Sequence, residues 1–181
     1  MSIPFARATA AVVLSAPRVS ERSLSPARVV PAWVVSGVVS GTIAGAAVLG
    51  LLIGIGRRAG TAWRPINAAA YAVLGAQADG VWSYHGSVTP MGGLVVLVMS
   101  VVAGLATARI APPFRTLHVA AAAAGVALFG YLLHLHVVAR TPGGLADLLT
   151  VGELRALYLT LGIALVAGMR FAFSTRATTL D

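Results

Sequence analysis

Four long apolar runs, separated by stretches where polar residues, proline and glycine cluster, outline this 181-residue chain. The first runs from about 29 to 55 and stops at the Arg57-Arg58 pair. The second covers about 91–108, opened by Thr89-Pro90 and closed by Arg109. The third occupies about 114–139 and is entered through "RIAPPFR" (109–115), where Pro112-Pro113 suit a first helical turn. "RTPGG" (140–144) ends it, because two glycines and a proline do not continue a helix cheaply. The fourth spans about 151–173, and Thr150 and Glu153 at its start have the spacing of a capping box. Each run approaches the roughly 20 residues that a bilayer-spanning helix needs. The pattern predicts an all-α integral membrane four-helix bundle over 29–176, preceded by an Arg/Ser/Pro-rich tail over 1–28.

Between the first two runs lies "WRPINAAAYAVLGAQAD" (63–79), too polar to be a span and too apolar for an ordinary loop. Pro65 suits a first helical turn, and Ile66, Ala69, Ala70, Val73 and Leu74 fall on one side at helical spacing. Asn67, Tyr71 and Gly75 fall on the other. Fourteen helical residues reach roughly 21 Å, short of a hydrocarbon core of about 30 Å. The segment is therefore expected to lie in the interface, with Trp63, Tyr71, Trp82 and Tyr84 at headgroup level. The competing reading is an irregular loop with some helix.

Composition strengthens the membrane assignment. The chain is 58% hydrophobic and 10% charged, against about 25% charged for soluble domains. Its net charge of +8 comes from thirteen arginines, with no lysine, against five acids. These arginines sit in the tail and at the ends of apolar runs, where they orient helices and meet anionic headgroups. No basic patch interleaved with aromatics occurs, so no nucleic acid is expected among the partners. With both termini cytoplasmic, eight arginines lie inside (7, 18, 22, 28, 109, 115, 170, 176) and five outside (57, 58, 64, 140, 155). The positive-inside bias favours that orientation, with Arg57-Arg58 opposing it. In the tail, "ATAAVVLSA" (8–16) after Arg7 faintly resembles a signal peptide, but its apolar core is short for one. The absence of cysteine excludes disulfides and thiolate chemistry.

Gly37, Gly41 and Gly45 form a double GxxxG, which Gly50 and Gly54 follow. Small residues let helices approach closely in lipid, and Gly104 and Gly168 offer similar spacing in the second and fourth runs. Such a seam serves either packing within the chain or contact with another subunit. Histidines 85, 118, 134 and 136 are the cofactor candidates. His134 and His136 point about 200° apart on one helix, and His118 and His136 are about 27 Å apart, so no intrachain haem is expected. No cofactor is expected at all. In the favoured topology Asp79, His85, His134 and His136 gather at the outer side with Asp147 and Glu153. Imidazole with carboxylate suits zinc or other first-row metals, although most of these residues also belong naturally in polar connections. No ionisable residue lies near the middle of a run, and no nucleophile elbow, zincin or phosphate-loop motif occurs.

"GTAWRPINAAAYAVLG" (60–75), "TPMGG" (89–93) and "YLLHLHVVARTPGGLADLLTVGELRALYLTLGIAL" (131–165) resemble a family of small bacterial four-span inner-membrane proteins of unknown function. The resemblance covers roughly 36–168. It implies a Gly-rich first helix, a Pro and Asn-Ala opening to an interfacial segment, and a Thr-Pro-Gly turn before the last helix. Members tend to carry a histidine just after the Asn-Ala pair, where this chain has Tyr71 or its neighbours, and another early in the second helix, where it has only Val and Leu. The family lends no established chemistry.

The expected function is a non-enzymatic membrane protein, an accessory subunit packed against a membrane-protein partner or a second copy of itself in the bacterial inner membrane. Gly37, Gly41 and Gly45 would form the contact seam, and the tail would touch lipid or a partner. The alternative is a small permease or a metal- or proton-handling protein using His134, His136, His85 and Asp79 at the outer face.

Overall fold

The computed structural model describes residues 30–111, 116–140 and 144–177; the tail, Pro112–Arg115, Thr141–Gly143 and the last four residues lie outside them. Both proline-bearing turns read from the sequence thus fall partly outside the described residues.

Four helices are long and apolar enough to cross a membrane: α1 (Ala32–Arg58), α4 (Val88–Ile110), α5 (Thr116–His136) and α7 (Val151–Ala177). Between α1 and α4 come α2 (Arg64–Ala69), α3 (Tyr71–Leu74) and a 3-10 turn (Gly75–Ala78). A second 3-10 turn (Val138–Arg140) and α6 (Leu145–Leu148) connect α5 to α7. The architecture is the expected all-α membrane four-helix bundle, and its long helices alternate in direction. One end therefore carries the start of α1 and the end of α7, and the other carries the two structured connections, hereafter the cap.

α1 is the centre of the bundle, packed between α4 and α7, and α5 closes against α7. Its glycines explain why. A Cβ on Gly37 would lie 2.8 Å from the Cα of Leu105, and one on Gly41 would overlap the Val101 backbone. Gly45 faces Leu97 and Ser100, while a Cβ on Gly104 would collide with Gly37 and Gly41. The partners run backwards along α4 as the glycines run forwards along α1, the register of antiparallel helices in backbone contact. On its other side, Ser40 Oγ donates to the Leu165 carbonyl of α7 at 2.8 Å. A Cβ on Gly168 would sit 2.7 Å from the Ser40 Cα. With no hydrophobic force between helices in lipid, this close approach supplies van der Waals attraction instead. The Gly37–Gly41–Gly45 seam is occupied by the chain's own α4, so of the two uses the spacing allowed it serves packing within the chain, and the seam is not free to contact a partner.

Buried Leu52, Ile55, Leu154, Leu157, Leu161 and Leu165 form the main core between α1 and α7. Val151 starts α7 where expected, and the capping box is made. The Thr150 N–H donates to Glu153 Oε2 at 3.0 Å, and the Glu153 N–H to Thr150 Oγ1 at 3.3 Å.

Candidate functional site

The segment from Trp63 to Asp79 is not one amphipathic helix. At Ala70 the hydrogen bonding tightens, its N–H donating to the Asn67 carbonyl at 3.0 Å, and the chain restarts as α3. Gly75 then turns with φ +54°, a conformation that glycine adopts at little cost. The helical register read from the sequence breaks at these two points, and the expectation for Asn67 reverses. Val73, assigned to the apolar side, is 61% exposed. Asn67, assigned to the polar side, is fully buried at 0% exposure.

Asn67 is the organising residue of the cap. Its Nδ2 donates to the carbonyls of Val81 at 3.0 Å and Ser83 at 2.8 Å. Its Oδ1 accepts from Thr89 Oγ1 at 2.7 Å, and that hydroxyl accepts the His85 N–H at 2.9 Å. One buried carboxamide thus ties α2, the 81–85 loop and the first turn of α4 together. Ile66 and Asn67 can sit there because α2 crosses α4 at Gly92, where any side chain would run into the Ile66 carbonyl. Carbonyls 81 and 83 point to Asn67, and the intervening Trp82 takes the Arg64 guanidinium 3.7 Å above its ring. Tyr84 meets Trp63 edge to face at 5.5 Å.

A cavity of about 290 Å³ opens beside this loop. Arg64, Tyr71, Asp79 and Trp82 line one side; Gly144 and Asp147 line the other. Gly144, at φ +86°, packs against the Ala68 carbonyl and Tyr71, bringing the α5–α7 connection onto α2. Asp79 Oδ1 accepts the Gly80 N–H at 3.0 Å, and its side chain is exposed.

A second polar group lies between α5 and α7. The ring of Tyr158 rests on Gly130, whose absent Cβ would come within 2.8 Å of it. Tyr131 and His134 meet that ring edge-on at 5.9 and 6.0 Å. His134 Nδ1 is 3.2 Å from the Tyr158 hydroxyl, and Arg155 Nε donates to the Tyr131 hydroxyl at 3.3 Å. His134 is buried, and its Nε2 meets no protein partner among the described residues. Its tertiary partner is thus a hydroxyl from α7.

The sequence-predicted metal residues are not assembled. His136 is exposed, and its Nδ1–H donates to the Leu132 carbonyl of its own helix at 2.9 Å. His85 is exposed and pairs with Ser87 Oγ at 3.1 Å, while His134 is buried at the α5–α7 contact. Among the described residues, no three His, Asp or Glu side chains are close enough to hold a metal ion. They share one end of the bundle but belong to separate local packings. Sequence reasoning missed Asn67, Thr89 and Tyr158 as organising residues. The available signal was an asparagine set among alanines and isoleucine, since a polar side chain in such a run must find partners when buried.

Set against family models, curated proteins and solved structures, the chain matches none of them.

Proposed function

We propose that this protein is a non-enzymatic accessory subunit of a larger assembly in the bacterial inner membrane, with both termini cytoplasmic and the cap outside. One observation carries the reading. The Asn67 knot holds the 81–85 loop against α2 while Trp82 and Tyr84 on that loop, and Trp63 beside Tyr84 at the start of α2, stay 51%, 58% and 38% exposed. Rigid, exposed aromatics offer large contact area at small entropic cost, which is how interface anchors work. The glycine seam supports the bundle itself, so the cap replaces it as the contact surface. A permease or metal- or proton-handling role is less well supported, because His134, His136, His85 and Asp79 sit in separate settings.

Site-specific photo-crosslinking in intact cells tests the proposal. A photoreactive side chain at Tyr84 should give a discrete protein adduct, either a partner or a second copy of the chain. One at Phe129, on the outer face of α5, should give lipid adducts only. Lipid adducts alone from both positions would refute the subunit role.

A further inference from the structure

We propose that the cap cavity binds a small zwitterion: an ammonium group joined to a phosphate or carboxylate. At about 290 Å³ the cavity is at the small end of ligand sites, suited to a headgroup-sized molecule. Its charges are mixed. Arg64 lines it together with Asp79 and Asp147, and the rings of Tyr71 and Trp82 complete the wall. A simple anion would meet Arg64 but also the Asp79 carboxylate. A simple cation would meet that carboxylate and be repelled by the guanidinium. A zwitterion satisfies both signs at once.

The geometry is pre-organised for this. The Arg64 guanidinium is stacked 3.7 Å over Trp82, which limits its rotamers while leaving its in-plane N–H groups for a bidentate oxyanion. The backbone that carries Trp82 is itself fixed, because the carbonyls on either side of it are bonded to Asn67. Asp79 keeps carboxylate oxygen for an ammonium while one oxygen caps the Gly80 N–H. The cavity lies at the end of the bundle where lipid headgroups meet water, so the zwitterion comes either from an ethanolamine phospholipid or from a free solute.

Full-length protein in mild detergent would be titrated calorimetrically with glycerophosphoethanolamine, and with glycerophosphoglycerol as the control lacking the ammonium. In parallel, protein from mixed phosphatidylethanolamine and phosphatidylglycerol nanodiscs would be examined by native mass spectrometry for retained lipid. We expect saturable binding of glycerophosphoethanolamine, at least ten-fold tighter than the control. It should weaken about ten-fold or more in Asp79→Asn and in Arg64→Gln. Asp79→Asn can still accept the Gly80 N–H, so it should fold normally even if Arg64→Gln releases Trp82; thermal melting checks both. Retained phosphatidylethanolamine would identify a lipid as the source, and soluble binding without retained lipid would identify a free solute. No binding of either form by folded wild type, equal binding of the control, or unchanged binding in Asp79→Asn would each overturn the proposal. Tyr84 does not line the cavity, so the crosslinking result stands or falls separately.

Discussion

Asn67 makes three hydrogen bonds from a fully buried carboxamide, two as donor to backbone carbonyls and one as acceptor. Only an amide of this length offers both roles at once. In Asn67→Asp both donors are lost, and a buried carboxylate faces two carbonyl oxygens. We expect a loss of about 2–4 kcal/mol, read as a lower melting temperature in detergent. Asn67→Asp behaving like wild type would mean that the knot does not hold the cap. The Tyr158 hydroxyl plays a smaller part. Tyr158→Phe keeps the ring on Gly130 and removes only the partner of His134 Nδ1, so it should cost about 0.5–1.5 kcal/mol. A loss much larger than that would show that the pair does more than satisfy one buried nitrogen.

At the scale of elements, α1 presents two rows of small residues with opposite roles. Gly41 lies against Ser100 and Val101 of α4, and even a methyl group there would overlap backbone. Gly50 has nothing within 4 Å of its would-be Cβ. Gly41→Leu should therefore destabilise the bundle by at least about 1–3 kcal/mol, the usual cost of overpacking. Gly50→Leu should leave the melting temperature unchanged. Equal melting temperatures for the two variants would mean that α1 and α4 do not meet at this seam. The short connecting elements follow a related logic. Because α3 leaves Val73 outside the packing of the bundle and α2 buries Asn67, Asn67→Asp and not Val73→Asp is the substitution that breaks internal bonds.

For the whole molecule, the even number of long helices puts Ser174 and Ser83 at opposite ends, and both are exposed. There is no native cysteine, so single substitutions can be labelled without background. Under the proposed orientation, Ser83→Cys in intact cells should react with an impermeant thiol reagent. Ser174→Cys should react only after the membrane is opened. The reverse pattern would place the cap in the cytoplasm, and the zwitterion would then come from the inner leaflet or the cytoplasmic solute pool.

The four long helices and the Thr150–Glu153 capping box were legible in the sequence. Both rest on properties carried locally: apolar length, the cost of proline and glycine, and a three-residue spacing. The presence of structure between 63 and 79 was legible too, but not its form. Periodicity alone extended one helix through Ala70 and Gly75, whereas docking on Gly92 and the demands of carbonyls 81 and 83 decided where the chain turned. The glycine seam was visible as spacing, yet spacing cannot say which helix fills it. Only the antiparallel register of α1 and α4 assigned Gly37, Gly41 and Gly45 to the chain's own interior. The acids and histidines near the cap were placed at the correct end by counting helices. Whether they converge depends on rotations and tilts that no local rule encodes. Tertiary packing instead separated His85, His134 and His136, and brought Arg64, Asp79 and Asp147, drawn from two different connections, around one cavity.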